Sequence, residues 1–188
     1  MLPTFRRPEA LPRTLDTIRA QSYRNWELIV VDNAGDVDPS TAVFRDPRIR
    51  VVSHPEQASS SYARNRGLGH VTGDLVCFFD DDDEMLPGYL ETFAKAFRDN
   101  PRAKMVRCGL ILASGRTVYS DATPECCLRR EFATPTWDDR GPMQDQRYFG
   151  RIRRRNRWTK ARGDVVVVRK ALVRAGHAPE GGLRAGGF

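Results

Sequence analysis

The longest apolar runs, Leu28 to Val31, Leu75 to Phe79 and Val165 to Val168, fall far below the ~20 residues that a membrane-spanning helix needs. The N-terminal Met1-Leu2-Pro3-Thr4-Phe5-Arg6-Arg7 has no basic stretch followed by an apolar one, which excludes a secretory signal peptide there. Cysteine is sparse. Cys77, Cys108, Cys126 and Cys127 form no C-x-x-C pair and have no His at metal spacing, so a zinc module is excluded. Adjacent Cys126 and Cys127 bridge only with strain, and reduced thiols fit a cytosolic compartment. Lysine supplies only Lys95, Lys104, Lys160 and Lys170 of the 31 basic residues. The net charge of +7 is therefore an arginine surplus, which reads as compositional bias. No element carries the basic and aromatic interleaving of a nucleic-acid module, so no nucleic-acid partner is expected.

What is present reads as a single α/β domain. The chain has 188 residues, 40% of them hydrophobic, enough for one ordinary core. Leu11, Leu15 and Ile18 recur at helical spacing between Pro8 and Gln21. Trp26 to Val31 is a β-branched apolar run that stops at Asp32-Asn33-Ala34-Gly35, as a buried parallel strand entering a loop would. Strands at Ile49 to Ser53 and Leu75 to Phe79 alternate with helices at Ser59 to Val71 and Pro87 to Asn100. That alternation predicts a mostly parallel sheet with helices on both faces. Met105 to Leu112 and Arg116 to Tyr119, joined by Ala113-Ser114-Gly115, predict a hairpin that starts a small antiparallel extension after residue 104. Residues 121–162 lack periodicity and read as a long loop or lid, followed by a strand at Val165 to Val168 and a short helix from Arg169 to Ala175. The last residues, Gly181 to Phe188, are glycine-rich and read as a disordered tail. On this reading residues 1–103 form one part and residues 104–188 the other.

The chemistry concentrates at Asp80-Asp81-Asp82-Asp83, where a buried strand ends. Residues i and i+2 of an extended segment face the same side, so Asp80 and Asp82 can share one ion. Adjacent carboxylates repel, and a divalent cation with oxygen ligands, Mn²⁺ or Mg²⁺, is the usual compensation. Asp83 and Glu84 read instead as acidic decoration of the helix that Pro87 opens. Asp32 stands at a second strand end, where open α/β sheets bind ligands, and is open to two readings, a ligand contact or a cap of its own turn. Pro3-Thr4-Phe5 would lie beside it.

Four motifs in order carry a resemblance: Pro3-Thr4-Phe5-Arg6-Arg7-Pro8, Trp26 to Asn33, Ala63-Arg64-Asn65-Arg66-Gly67-Leu68, and Gly73 to Asp83 with Leu86-Pro87. Together they resemble family 2 glycosyltransferases of the GT-A fold, most fully over residues 1 to 112. The resemblance implies an inverting transfer of a sugar from a nucleotide-diphosphate donor, of uridine type, to an acceptor hydroxyl. It places the donor against Pro3, Thr4, Phe5, Asp32, Arg64 and Asp81, with the nucleobase on Asp32 and the ribose near Asp81. It places the metal at the D-x-D run, on Asp82 above all, beside Asp80. Arg64 is equally open to a helix-surface reading. The family's general base follows a segment like Val166 to Gly176, which puts it beyond the last residue. Asp145 is the substitute inside the sequence, with Asp138 and Asp139 competing. The family also starts with a full strand where only Met1 and Leu2 precede Pro3, so the first strand is expected to be nearly absent and to leave a sheet edge uncovered. A catalytically silent nucleotide-sugar-binding domain, or a truncated fragment without its base, is the alternative. Arg147 to Arg157 holds six arginines among aromatic residues. It suits a peripheral contact with the inner face of a membrane carrying a lipid-linked acceptor, or equally a solvated basic face. A saccharide or a small molecule are the other acceptor classes, and bacterial polysaccharide biosynthesis is the expected setting. Nothing in the sequence fixes the oligomeric state.

Overall fold

The computed structural model describes residues 1–54, 60–112, 114–118, 126–133 and 165–174. Strand β1 (Leu2–Thr4) is buried along its whole length and runs parallel to β2 (Leu28–Asp32), with Thr4 opposite Asp32. Strand β3 (Ile49–Ser53) extends β2 on its other side, again in parallel. A six-stranded group follows: β4 (Leu75–Phe78), β5 (Glu84–Met85), β6 (Met105–Ile111), β7 (Thr117–Val118), β8 (Cys126–Arg129) and β9 (Val165–Arg174). Its order is β4-β8-β6-β9-β5, with β7 paired to β6.

Two backbone bonds at Met1 join the two groups. The Met1 amino group donates to the Cys77 carbonyl at 2.8 Å, and the Phe79 N–H donates to the Met1 carbonyl at 3.1 Å. One residue bonded to two positions, two apart on its neighbour, is the parallel pattern. The short first strand therefore lies between β2 and β4 and leaves no uncovered edge there. Successive strands β1, β2 and β3 step one way, and β4 returns to the opposite side of β1. Open α/β sheets place ligands at such a reversal, outside the carboxyl ends of the strands.

Side-chain alternation shows that both faces are covered. Leu28 and Val30 pack with Leu11, Leu15 and Ile18 of helix α1 (Leu11–Arg19) and with Phe93 and Phe97 of helix α3 (Tyr89–Asp99). Ile29 and Val31 point the other way and pack with Ala63 of helix α2 (Ser60–Leu68), together with Val76 and Phe78 of β4. A period of two with both faces apolar is what the continuous β-branched runs require.

Three expectations are corrected. Residues 126–129, read as part of a loop, form β8, which pairs with β4 on one side and β6 on the other. Cys126-Cys127-Leu128 is too short to show a period, but its backbone pairs on both sides. The helix expected from Arg169 to Ala175 is instead the continuation of β9 as far as Arg174. Pairing with Gly109 to Ile111 of β6, after a register shift between Arg107 and Gly109, overrides helix propensity. Asp83 and Glu84 do not decorate a helix start. Asp83 is buried at 6% exposure, and Glu84 lies in β5, paired to Arg13 and, at 3.3 Å, to Arg174. Helix α3 begins at Tyr89, after Gly88 in the left-handed region at φ 78°, and its first-turn acid is Glu91.

The expected hairpin is present: the Leu112 N–H donates to the Arg116 carbonyl at 3.0 Å, with Gly115 at φ 77°. Within the described residues no helix is long and apolar enough to cross a membrane. Asp138, Asp139, Asp145 and the Arg147 to Arg157 segment lie outside the described residues.

Candidate active site

The carboxyl ends of β1, β2 and β4 meet at a cleft of about 240 Å³ lined by Pro3, Thr4, Phe5, Arg7, Asn33, Ser60, Arg64, Asp80 and Asp81. Each side chain arrives for a local reason. Apolar β1 and β4 terminate in polar residues, so Thr4 and Asp80 emerge where the core ends. Helix α2 turns its small Ala63 and Gly67 towards β1 and β2, which brings the backbone close enough for Arg64 to reach across.

Three consecutive carboxylates meet two guanidiniums. Asp81 is 1% exposed; its Oδ2 accepts from the Thr4 hydroxyl at 2.8 Å and its Oδ1 from Arg7 Nη2 at 2.7 Å. Arg7 Nη1 donates to Asp82 Oδ2 at 2.6 Å. Arg64 Nη2 donates to Asp80 Oδ1 at 2.5 Å, from a side chain 1% exposed. Burial pushes the Asp81 carboxyl up, and the hydrogen bond from Thr4 and the charge of Arg7 offset only part of that. For Arg7 burial opposes the charge, but Asp81 and Asp82 outweigh it and hold the guanidinium above its usual range.

The backbone of the acidic turn is pinned by α1. The Thr14 hydroxyl lies 2.8 Å from the Asp81 carbonyl and 2.9 Å from the Asp83 carbonyl, sharing its proton between them. The Met85 N–H donates to the Thr17 hydroxyl at 3.1 Å. Gln21, 1% exposed, donates to the Leu86 carbonyl at 3.2 Å and accepts from the Leu90 N–H at 3.2 Å. Sequence reasoning missed these positioning residues. Their signal is a polar set, Thr14, Thr17 and Gln21, along the apolar stripe of an amphipathic helix.

The structure gathers Pro3, Thr4, Phe5, Arg64, Asp80 and Asp81 around one cleft, with Asp82 beside it on Arg7. The helix-surface reading of Arg64 is excluded by its burial. Asp32 stands at the end of β2. It is fully buried, its Oδ1 accepts from the N–H groups of Ala34 at 3.1 Å and Gly35 at 2.8 Å, and its Oδ2 accepts from Val37 N–H at 3.2 Å. Of its two readings, the turn cap is the one observed, and the cleft-lining residue at the end of β2 is the next one, Asn33. Arg7, Asn33 and Ser60 are cleft residues that the sequence reading did not select.

A divalent ion can be tested against these donors. Asp80 and Asp82 are 28% and 32% exposed, so hard carboxylate oxygens remain reachable, whereas both oxygens of Asp81 are held inside the protein. Among the described residues no three His, Cys, Asp or Glu side chains are grouped to hold a metal. Mg²⁺ and Mn²⁺ are commonly held by one or two carboxylates, with water and substrate phosphate completing the shell. The residues present fit that mode and not an all-protein cage.

The described residues form a mixed α/β fold, and the solved structures it resembles are GT-A glycosyltransferases. S. aureus TarS 1-349 in complex with UDP-GlcNAc has this fold, with a TM-score of 0.75 at 14% identity over 100% of this chain and 60% of that one. Residues 1–158 match the domain family Glycosyl transferase family 2, and the chain belongs to that family. It is similar to the uncharacterized glycosyltransferase YwdF of Bacillus subtilis, at 34% identity over 49% of this chain and 35% of that protein. The amylovoran biosynthesis glycosyltransferase AmsB of Erwinia amylovora is 36% identical over 45% of this chain and 30% of its own length. The chain thus spans about a third of the length of these curated relatives.

Proposed function

We propose that the chain binds a nucleoside-diphosphate sugar, of uridine type, in the cleft at the β1/β4 reversal and transfers its sugar to an acceptor hydroxyl with inversion. The observation that carries this reading is the meeting of Asp80, Arg7 and Arg64 at one cleft, with Asp82 beside it on Arg7, a charge pattern suited to a diphosphate with a cation. Asp80 and Asp82 would hold Mn²⁺ or Mg²⁺, which when bound would neutralise charge on the departing diphosphate. Arg64, fixed on α2, adds positive charge at the same point. Pro3 and Phe5 offer apolar surface for the base and ribose, and Asn33 takes the position at the end of β2 that the resemblance gave to Asp32.

In the transfer the acceptor oxygen bonds to the anomeric carbon, the bond from that carbon to the diphosphate oxygen breaks, and the acceptor proton passes to a carboxylate base. Asp145 is the candidate base within this chain. Saccharide, lipid-linked and small-molecule acceptors all present the required hydroxyl. The membrane contact through Arg147 to Arg157 belongs to the lipid-linked case.

The alternative is a domain that binds the donor without turnover. Incubation with a panel of UDP-sugars and Mn²⁺, with released UDP as the readout, tests the transfer. Metal-dependent UDP release supports a transferase. Tight UDP binding with no release from any donor would establish the binding-only reading.

A further inference from the structure

Arg7 is a cleft residue whose partners are unusual. Its two terminal nitrogens bridge two consecutive carboxylates, with Nη2 on Asp81 Oδ1 at 2.7 Å and Nη1 on Asp82 Oδ2 at 2.6 Å. The two guanidiniums at the acidic run differ in freedom. Arg64, on α2, is 1% exposed, while Arg7 is 48% exposed at the mouth. Arg7 also follows Arg6, which has φ 53°, the one left-handed non-glycine among the described residues. Such a conformation at a non-glycine residue is held only by its surroundings and often marks a functional segment. Here it turns the Arg6 guanidinium over the Phe5 ring, 5.1 Å from its centroid, and leaves Arg7 aimed at the acids.

Asp82 Oδ2 is both the oxygen that Arg7 holds and one of the few reachable ligands for a cation. A guanidinium and a divalent ion at hydrogen-bonding and coordination distance from that carboxylate repel each other strongly in a half-buried site. We propose that Arg7 is the resident cation of the metal-free protein, that a divalent ion displaces it from Asp82, and that the released guanidinium becomes a ligand of the donor's diphosphate. Three features support this. Arg7 is the more exposed of the two arginines, it sits on a loop rather than in a helix, and its planar fork matches phosphate oxygens as well as carboxylate. It follows that Arg7 opposes metal binding in the absence of nucleotide and favours nucleotide binding in the presence of metal. The inference rests on the reading of Asp80 and Asp82 as a metal site.

The test measures Mn²⁺ binding by the paramagnetic resonance of the free ion, without nucleotide, for the wild-type chain and for Arg7→Gln, Arg7→Lys and Asp82→Asn. UDP binding is then measured at saturating Mn²⁺. Arg7→Gln is expected to bind Mn²⁺ about tenfold more tightly and UDP about tenfold more weakly, the effect of one charge at a half-exposed site. Arg7→Lys, which keeps the charge but not the fork, falls between. Opposite shifts in the two affinities are not produced by a merely structural defect. Mn²⁺ binding that Asp82→Asn abolishes but Arg7→Gln leaves unchanged or weakens overturns the role of Arg7 and leaves the metal site standing. Absence of Mn²⁺ binding in the wild-type chain, even with UDP, overturns both.

Discussion

Asp32 has three backbone N–H groups converging on a carboxylate that solvent does not reach. Removing the acceptor leaves those donors buried and unmet at ~1–3 kcal/mol each, so Asp32→Ala is expected to lose about 3 kcal/mol or more. Asp32→Asn, which keeps one oxygen, is expected to lose about half of that by the same reasoning. Urea denaturation measures both, and a loss of binding without a loss of stability would show that Asp32 faces the ligand after all. Sequence could place Asp32 at the end of β2 but not choose between a ligand contact and a cap of its own turn. Adjacent residues at a strand end differ only in which side of the turn they face, and turn hydrogen bonding decides that.

Acid sensitivity also belongs to single residues. The Arg48 hydrogen bonds lower the Asp46 carboxyl from 3.8 to about 2, and Arg48 also lies over the Trp26 ring at 3.7 Å. A lowered carboxylate contributes stability that is present above 3.8 and lost as pH falls through about 2. Asp81 has the opposite sign, since its raised carboxyl is favoured protonated in the fold and adds stability as pH falls through its folded value. Asp46→Asn is therefore expected to lower stability at neutral pH and to flatten its decline between 3.8 and 2. Urea midpoints measured across that range check this, and an unchanged slope would contradict it.

At the scale of elements, α2 and α1 position the site in different ways. Helix α2 approaches the sheet through Gly67, where a Cβ would come within 2.9 Å of Val31 Cγ2. Val31 is fully buried and cannot retreat, so Gly67→Ala is expected to cost about 1–3 kcal/mol through overpacking and to move Arg64 off Asp80. A thermal melt unchanged from wild type would contradict that close approach. Helix α1 acts through hydroxyl groups. Thr14→Val preserves shape but leaves the Asp81 and Asp83 carbonyls without their donor, an expected loss of about 1–2 kcal/mol together with weaker metal binding. Retention of both stability and metal affinity in that variant would show that the acidic turn holds its own shape. Helices α1 and α3 and strands β2, β3 and β4 were legible because their apolar runs are clean. Helix α2 was legible from its serine-rich start and Gly73 past its end, and the two-residue β5 was not legible. Strand β8 was not, because four residues carry no period and its place depends on pairing with β4 and β6 from distant parts of the chain. Strand β9 was misread over its second half for the same reason, since Arg169-Lys170-Ala171-Leu172 is acceptable in a helix and only the neighbouring β6 backbone claims it.

Across the whole molecule, the reversal of strand order at β1 turns separate sequence motifs into one site. The Pro3 to Phe5 segment, the end of β2, Arg64 and the acidic run lie up to about eighty residues apart, yet each sits where a strand ends or a helix faces the same gap. Motif order alone was enough to identify the family, and the acidic run at the end of an apolar strand was visible as a place of concentrated charge. Arg7 as the cation bridging Asp81 and Asp82 was not, because a basic residue next to a proline in a loop carries no period and no fixed direction. The central claim is that Asp80 and Asp82 form a metal-dependent site for a nucleoside diphosphate. Calorimetric titration of UDP into the wild-type chain and Asp82→Ala, each with Mn²⁺ and with a chelator, tests it most directly. Binding that requires Mn²⁺ in the wild type and disappears in Asp82→Ala is the predicted result. Equal binding with the chelator, or an unchanged titration in Asp82→Ala, would contradict it.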